Sequence, residues 1–248
     1  MDIRLKPKYQ YELVRIGSKN DGGYLVEKSS IQNSDFLIGL GINDDWSFEK
    51  KFQKDFIGVD NQLSLKFLIK KFLSSFFSIF SKGSLYSPIF SFLKIIDYLR
   101  MRNRFIKGTI SNYDNLEYGY ISLKTIFTKI IKNPKKNKVF LKLDIEGSEY
   151  RILNDILDFE DFLSGLIIEF HDVDLNLDKI IDFSTKLNLE IVHIHPNNFG
   201  GVDYKNNPLA LEISYSKSPK KIGDICKIPN HLDRPNDKKR RELNLIFK

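Results

Sequence analysis

The feature that most constrains this chain is an alternation. Short apolar runs at residues 36–41, 56–60, 105–110, 138–144, 166–170, 190–195 and 209–215 are interleaved with helix-patterned stretches at 47–55, 122–131, 148–157 and 177–187. Strand-sized apolar runs between amphipathic helices predict parallel strands joined by crossovers, hence an α/β fold with a doubly wound, mostly parallel sheet in one domain spanning 1–248. Ahead of it, β-prone runs at 13–16 and 24–26 flank Gly17-Ser18-Lys19-Asn20-Asp21-Gly22-Gly23. The Asn, Asp and Gly residues there tolerate positive φ, so a hairpin extension is expected within residues 1–30.

One stretch exceeds what a crossover needs. After Asp60, Leu65, Leu68, Ile69, Phe72, Leu73, Phe76, Phe77 and Phe80 recur at the spacing of one helix face, with Lys66, Lys70, Lys71, Ser74, Ser75 and Ser78 on the other. Ser87-Pro88 suits the first turn of a second apolar helix ending near Leu99. Residues 62–104 therefore read as an inserted helical hairpin. It leaves the sheet at the ligand edge, which suits a lid. Its Phe-rich stripe opposite lysines also has the pattern of a helix lying on an anionic membrane surface, while packing on the core is the plainer use. Charges interrupt it too often for a membrane span.

A net charge of +7 makes anionic partners plausible without choosing among them. The single cysteine, Cys226, excludes an internal disulfide and a Cys-rich zinc site, and the first eight residues lack the apolar run of a signal peptide. The expectation is a cytoplasmic protein, with the insertion offering peripheral contact to the inner membrane face. The basic run Lys238-Lys239-Arg240-Arg241 reads as a solvated tail.

Ligands of open α/β sheets bind beyond the carboxyl ends of the strands. Gly39 and Gly41 close the first strand, where missing side chains let a cofactor approach the backbone, and Asp60 closes the second, where an acid can accept both ribose hydroxyls. A dinucleotide would call for Gly-x-Gly-x-x-Gly, but the third glycine position is Asp44. The acidic loop Asn43-Asp44-Asp45 suits S-adenosylmethionine, which carries a sulfonium and an ammonium and no phosphate. Ser111 and Asn112, just after the 105–110 run, join the expected cofactor-binding set.

The stretch Val139-Phe140-Leu141-Lys142-Leu143-Asp144-Ile145-Glu146-Gly147-Ser148-Glu149 closely resembles the Lys-x-Asp-x-Glu-Gly-x-Glu signature of the FkbM-type methyltransferases. The resemblance extends to Gly17 through Tyr24, to Gly39 through Glu49, to Ile167-Ile168-Glu169-Phe170-His171 and to His193-Ile194-His195-Pro196-Asn197-Asn198. It implies a class I methyltransferase (Rossmann-like) fold, a helix opening at Gly147, S-adenosylmethionine as cofactor, and methylation of a hydroxyl on a small polar acceptor such as a sugar or polysaccharide precursor. The commoner family form has an acid before the first glycine. Ile38 stands there, leaving Asp21 or Asp45 to anchor the methionyl ammonium.

Methyl transfer to a hydroxyl needs in-line alignment and loss of a proton. His171 and His195 at strand ends are expected to converge on the crevice with Asp144 and Glu169, with His171 the favoured base. Asp144, Glu169 and His171 could alternatively hold a divalent cation, although no dense ligand spacing enforces one. Asn197, Asn198 and Tyr204 are candidates to hydrogen-bond a polyol, or turn residues. Two other classes remain open: a catalytically silent relative that binds membrane or a partner, and a nucleic-acid methyltransferase. The latter is disfavoured because no Asn/Asp-Pro-Pro-aromatic motif is present.

Overall fold

The structure is a computed structural model describing residues 1–77, 85–130 and 138–248. In chain order its elements are β1 (Gln10–Tyr11), β2 (Leu13–Gly17), β3 (Gly23–Glu27), α1 (Lys28–Gln32), β4 (Phe36–Leu40), α2 (Ser47–Lys51), β5 (Asp55–Asp60), α3 (Leu65–Ser75) and α4 (Tyr86–Met101). They continue with β6 (Phe105–Lys107), β7 (Thr109–Ser111), β8 (Tyr120–Ser122), α5 (Leu123–Ile130), β9 (Val139–Leu143), α6 (Leu153–Asp158), β10 (Leu163–Phe170), α7 (Val173–Lys186), β11 (Glu190–Pro196), β12 (Leu211–Ser216) and β13 (Lys221–Gly223). Seven strands form one sheet in the order β6-β5-β4-β9-β10-β12-β11, with β12 antiparallel to both its neighbours and the rest parallel. This is a doubly wound, mostly parallel Rossmann-like sheet.

Alternation along the strands divides the core. Ile38, Leu40, Leu141, Leu143, Leu166, Ile168 and Phe170 point to the face covered by residues of α5, α6 and α7. Leu37, Phe140 and Ile167 point to the other, where Tyr24 and Val26 of the β2–β3 hairpin and Phe48 and Phe52 from α2 and its end cover them. Burying each such side chain contributes about 2 kcal/mol.

Several expected elements change shape. The stretch 47–55 is helical only to Lys51, because Gln53 adopts φ 61° and Asp55 already belongs to β5. The 105–110 run breaks at Gly108 into β6, in the main sheet, and β7, which pairs with β8. No helix opens at Gly147: Glu146 and Gly147 turn left-handed at φ 53° and 90°, a 3-10 turn follows at Glu149–Arg151, and α6 starts only at Leu153. Ile131, expected to end the helix after Ser122, and Ser78 and Phe80 of the inserted hairpin lie outside the described residues.

Both insertion helices exist, and α3 is capped by Ser64, whose hydroxyl accepts the Phe67 amide. Their root is core: Leu63 and Leu68 pack with Ile42 and Trp46, and Ile95 and Tyr98 close the cluster. Trp46 Nε1 donates to Asp97, while Lys71 and Lys94 both reach Asp44. Beyond the root, the expected stripe is covered only in part: Phe72 packs against Phe92 of α4, whereas Leu73 and Phe77 are 59% and 75% exposed. No described helix is long and apolar enough to cross a membrane.

Candidate functional site

A cleft of about 440 Å³ opens where the carboxyl ends of β4, β5 and β9 diverge. Its rim carries the carboxylates of Asp21, Asp44, Asp45, Asp60, Asp144 and Glu146, against the Lys142 ammonium. Gly41 shapes the floor. It has φ 74°, and a Cβ there would stand 1.5 Å from the Asp144 carbonyl oxygen, so only glycine lets the β4 loop cross β9 this closely. Gly39 does not reach the cleft lining. It makes room instead for buried Glu49, whose Oε1 would lie 2.6 Å from a Cβ at that position.

Asp60 holds the rim together. Its Oδ1 accepts the amides of Gln62 and Leu63 at 2.7 and 2.8 Å, and its Oδ2 accepts the Asn43 amide at 2.8 Å. Asp45 lines the cleft while accepting the Ser47 amide, and Asp21 reaches the cleft from the tip of the β2–β3 turn. Ser111 is buried and Asn112 is exposed, and neither belongs to the lining, although Gly108, Thr109 and Ile110 do. The break at Gly108 carries the end of that segment away.

Beside the cleft, Asp144, Glu169 and His171 converge, each offering a ligand atom within 4.8 Å of the others. Tyr24, 120 positions before Asp144, sits over them: its hydroxyl lies 3.1 Å from Asp144 Oδ2 and 3.0 Å from Glu169 Oε2. Asn197 Nδ2 donates to Glu169 Oε1 at 2.5 Å. Glu149 closes the Asp144–Gly147 turn by accepting the Ile145 and Gly147 amides, and the same oxygen lies 3.1 Å from His171 Nδ1. Glu149 is therefore more than a helix-end charge.

Burial sets the protonation of this group. It pushes Asp144 up to about 6 and Glu169 well above the usual carboxylate range, where Asp144 adds to the effect. It raises the Tyr24 phenol too, with Asp144 and Glu169 adding to it. For His171 burial works downward, but Glu149, Glu169 and Asp144 outweigh it and raise the imidazole to about 9. Lys142 is buried and held above its ordinary value, because Glu49, Asp144 and Glu169 outweigh its desolvation.

His195 is not in the crevice. The strand runs on through Pro196, so His195 is interior to β11 and 3% exposed, with Nδ1 3.2 Å from Glu212 and Nε2 2.8 Å from Glu242. His193 is likewise taken, 2.9 Å from Asp233. Both acids outside the sheet come from the C-terminal segment, which folds back rather than trailing in solvent. Asn236 donates to Glu212 at 2.6 Å, and Asn198 exchanges bonds with Asp237, which leaves Asn198 structural. The basic run itself is exposed, and Tyr204 is 88% exposed and outside the cleft lining.

The His195 contacts carry a pH signature. Glu212 and Glu242 outweigh desolvation and raise its pKa from 6.5 to about 10. A group raised on folding stabilises fully below its unfolded pKa and loses that contribution as pH rises through the folded one. The melting-temperature advantage of wild type over His195→Gln should therefore be largest near pH 6 and close towards pH 10. A gap that stays constant across that range would contradict the assignment.

Sequence reading missed Tyr24, Glu49, Glu149 as the imidazole's partner, and Glu212. Glu169, Glu212 and His195 are register partners across three strands, so they share one face at one level of the sheet. Only the strand pairing reveals that row.

No protein-family model matches the chain, and no curated protein matches it. Among solved structures, the methyltransferase domain of a bacterial Hen1 aligns at 10% identity over 75% of this chain and 91% of its own, with a TM-score of 0.35. The TrmK protein of M. capricolum, solved with S-adenosyl-homocysteine, aligns at 14% identity over 81% of this chain and 70% of its own, with a TM-score of 0.31.

Proposed function

We propose that the chain is an S-adenosylmethionine-dependent O-methyltransferase of the FkbM type, acting on a hydroxyl of a small polar acceptor such as a sugar or polysaccharide precursor. The observation that carries this reading is the cleft itself, an acidic pocket at the carboxyl ends of the central strands with Asp60 closing the second of them. A pyrophosphate would be repelled there, whereas a cationic, phosphate-free adenosine cofactor is favoured.

When bound, S-adenosylmethionine supplies an electrophilic methyl group on a sulfonium. Asp60 would accept a hydrogen bond from a ribose hydroxyl through Oδ2, which its three backbone donors leave with one free lone pair. Gly41 keeps the floor open, and Asp21 and Asp45 stand where an ammonium can be neutralised. The acceptor hydroxyl would lie against Asp144, which lines the cleft, with Glu169 and His171 converging on it from beside the cleft. Its proton passes to Asp144, because His171, raised to about 9, already carries one near neutral pH, and alignment provides much of the rate.

The test is an untargeted comparison of small molecules in cells with and without the gene. A methylated product that requires the chain, and that disappears with Asp144→Asn, is the expected result. Cofactor binding with no chain-dependent product would favour the silent-relative reading.

A further inference from the structure

We propose that Asp144, Glu169 and His171 form a divalent-cation site, for Mn²⁺ or Mg²⁺, beside the cofactor cleft. Three features of the geometry carry this. First, His171 Nε2 has no hydrogen-bonding partner among the described residues, yet it faces Glu169 Oε1 at 3.8 Å and Asp144 Oδ1 at 4.0 Å. Those separations are too long for hydrogen bonds. They suit atoms sharing an ion: with bonds of about 2.1 Å, ligands at right angles lie about 3.0 Å apart and opposite ones about 4.2 Å. Glu146 Oε2, at 3.6 Å from the same nitrogen, stands on the exposed side.

Second, each candidate ligand is already oriented from behind. Glu149, fully buried, holds His171 through Nδ1, the arrangement that fixes the tautomer of a metal-binding imidazole and leaves Nε2 to coordinate. Tyr24 engages Asp144 Oδ2 and Glu169 Oε2, so the other oxygen of each carboxylate is the one turned towards His171. Asn197 donates to Glu169 Oε1 itself, which keeps a second lone pair for the ion. Third, four carboxyl groups, of Asp144, Glu146, Glu149 and Glu169, crowd one imidazole, an arrangement that retains protons where no other cation stands. A divalent ion would redress this.

Two carboxylates and one imidazole, with no thiolate, favour Mn²⁺ or Mg²⁺ over softer ions. Three protein ligands leave positions open on the cleft side. An acceptor with two neighbouring oxygens, such as a vicinal diol, could chelate there, and the ion would lower the pKa of the hydroxyl to be methylated. This role rests on the methyltransferase reading, whereas the binding of the ion does not.

The test is titration of Mn²⁺ into the full-length protein, followed by the loss of its free electron-paramagnetic-resonance signal. One site per chain is expected without cofactor present. Glu169→Gln and His171→Ala should each weaken it at least tenfold, Glu149→Gln by about tenfold through misorientation of the ring, and His195→Gln not at all. Circular dichroism shows whether each variant is folded. A folded wild-type protein that binds no Mn²⁺ at millimolar concentration overturns the site, as does binding unaffected in the folded Glu169→Gln and His171→Ala variants. Parallel titration with S-adenosylhomocysteine separates the two ideas. Mn²⁺ binding without it leaves the cation site standing and removes the methyltransferase reading, and the converse removes only the cation site.

Discussion

Replacing Gly41 with valine is expected to lower the melting temperature by about 10 °C and to abolish S-adenosylhomocysteine binding. At φ 74° a β-branched residue is strained, and its Cβ would stand inside the van der Waals radius of the Asp144 carbonyl oxygen, 1.5 Å away. Strain of about 1–3 kcal/mol and overpacking of similar size add to roughly 3–4 kcal/mol, or about 10 °C for a domain of this length. Relief requires β4 and β9 to part where they form the cleft floor, so stability and binding fall together. Gly39→Ala tests the contrast. It crowds the flexible end of Glu49 and should cost stability while leaving cofactor affinity closer to wild type.

Asp60→Ala should weaken S-adenosylhomocysteine binding by about ten- to a hundredfold, as expected for one charge-assisted hydrogen bond of about 1.5–3 kcal/mol. It also frees three backbone donors, so some loss of stability accompanies it. Asp60→Asn separates the effects. Its carbonyl oxygen can still accept the Gln62 and Leu63 amides while its Nδ2 faces the Asn43 amide, so it should lose less stability than Asp60→Ala while losing most of the affinity. Wild-type affinity in Asp60→Asn would remove Asp60 from ribose recognition.

The sheet was legible because its strands are buried on both faces. Runs such as Leu163–Phe170 and Val139–Leu143 are apolar enough to stand out, and the acids that end or follow them mark the ligand edge. Asp60, Asp144, Glu169 and His171 stand at or beside that edge. Periodicity reports how one element is buried and says little about which distant residue meets it. Tyr24 therefore read only as a hairpin residue, although its hydroxyl bridges two carboxylates more than a hundred positions away.

The misplaced His195 has the same origin. A histidine one residue before a strand's end looks available, and nothing local reveals that Glu212 and Glu242 occupy both its nitrogens. Gly147 misled for a different reason: a glycine after Asp-x-Glu can open a helix or make a left-handed turn, and here the Glu149 carboxylate, by accepting the turn's amides, favours the turn. On the insertion, amphipathic spacing marked the first helix and Ser87-Pro88 the second, but neither marked the outcome that burial is concentrated at their root.

The central claim is that the acidic cleft between Gly41, Asp60 and Asp144 binds S-adenosylmethionine. Calorimetric titration of the folded protein with S-adenosylhomocysteine tests it most directly. The account predicts saturable binding of one molecule per chain, lost in Gly41→Val and severely weakened in Asp60→Asn. Absence of heat at millimolar ligand, from protein whose circular dichroism shows it folded, would contradict it.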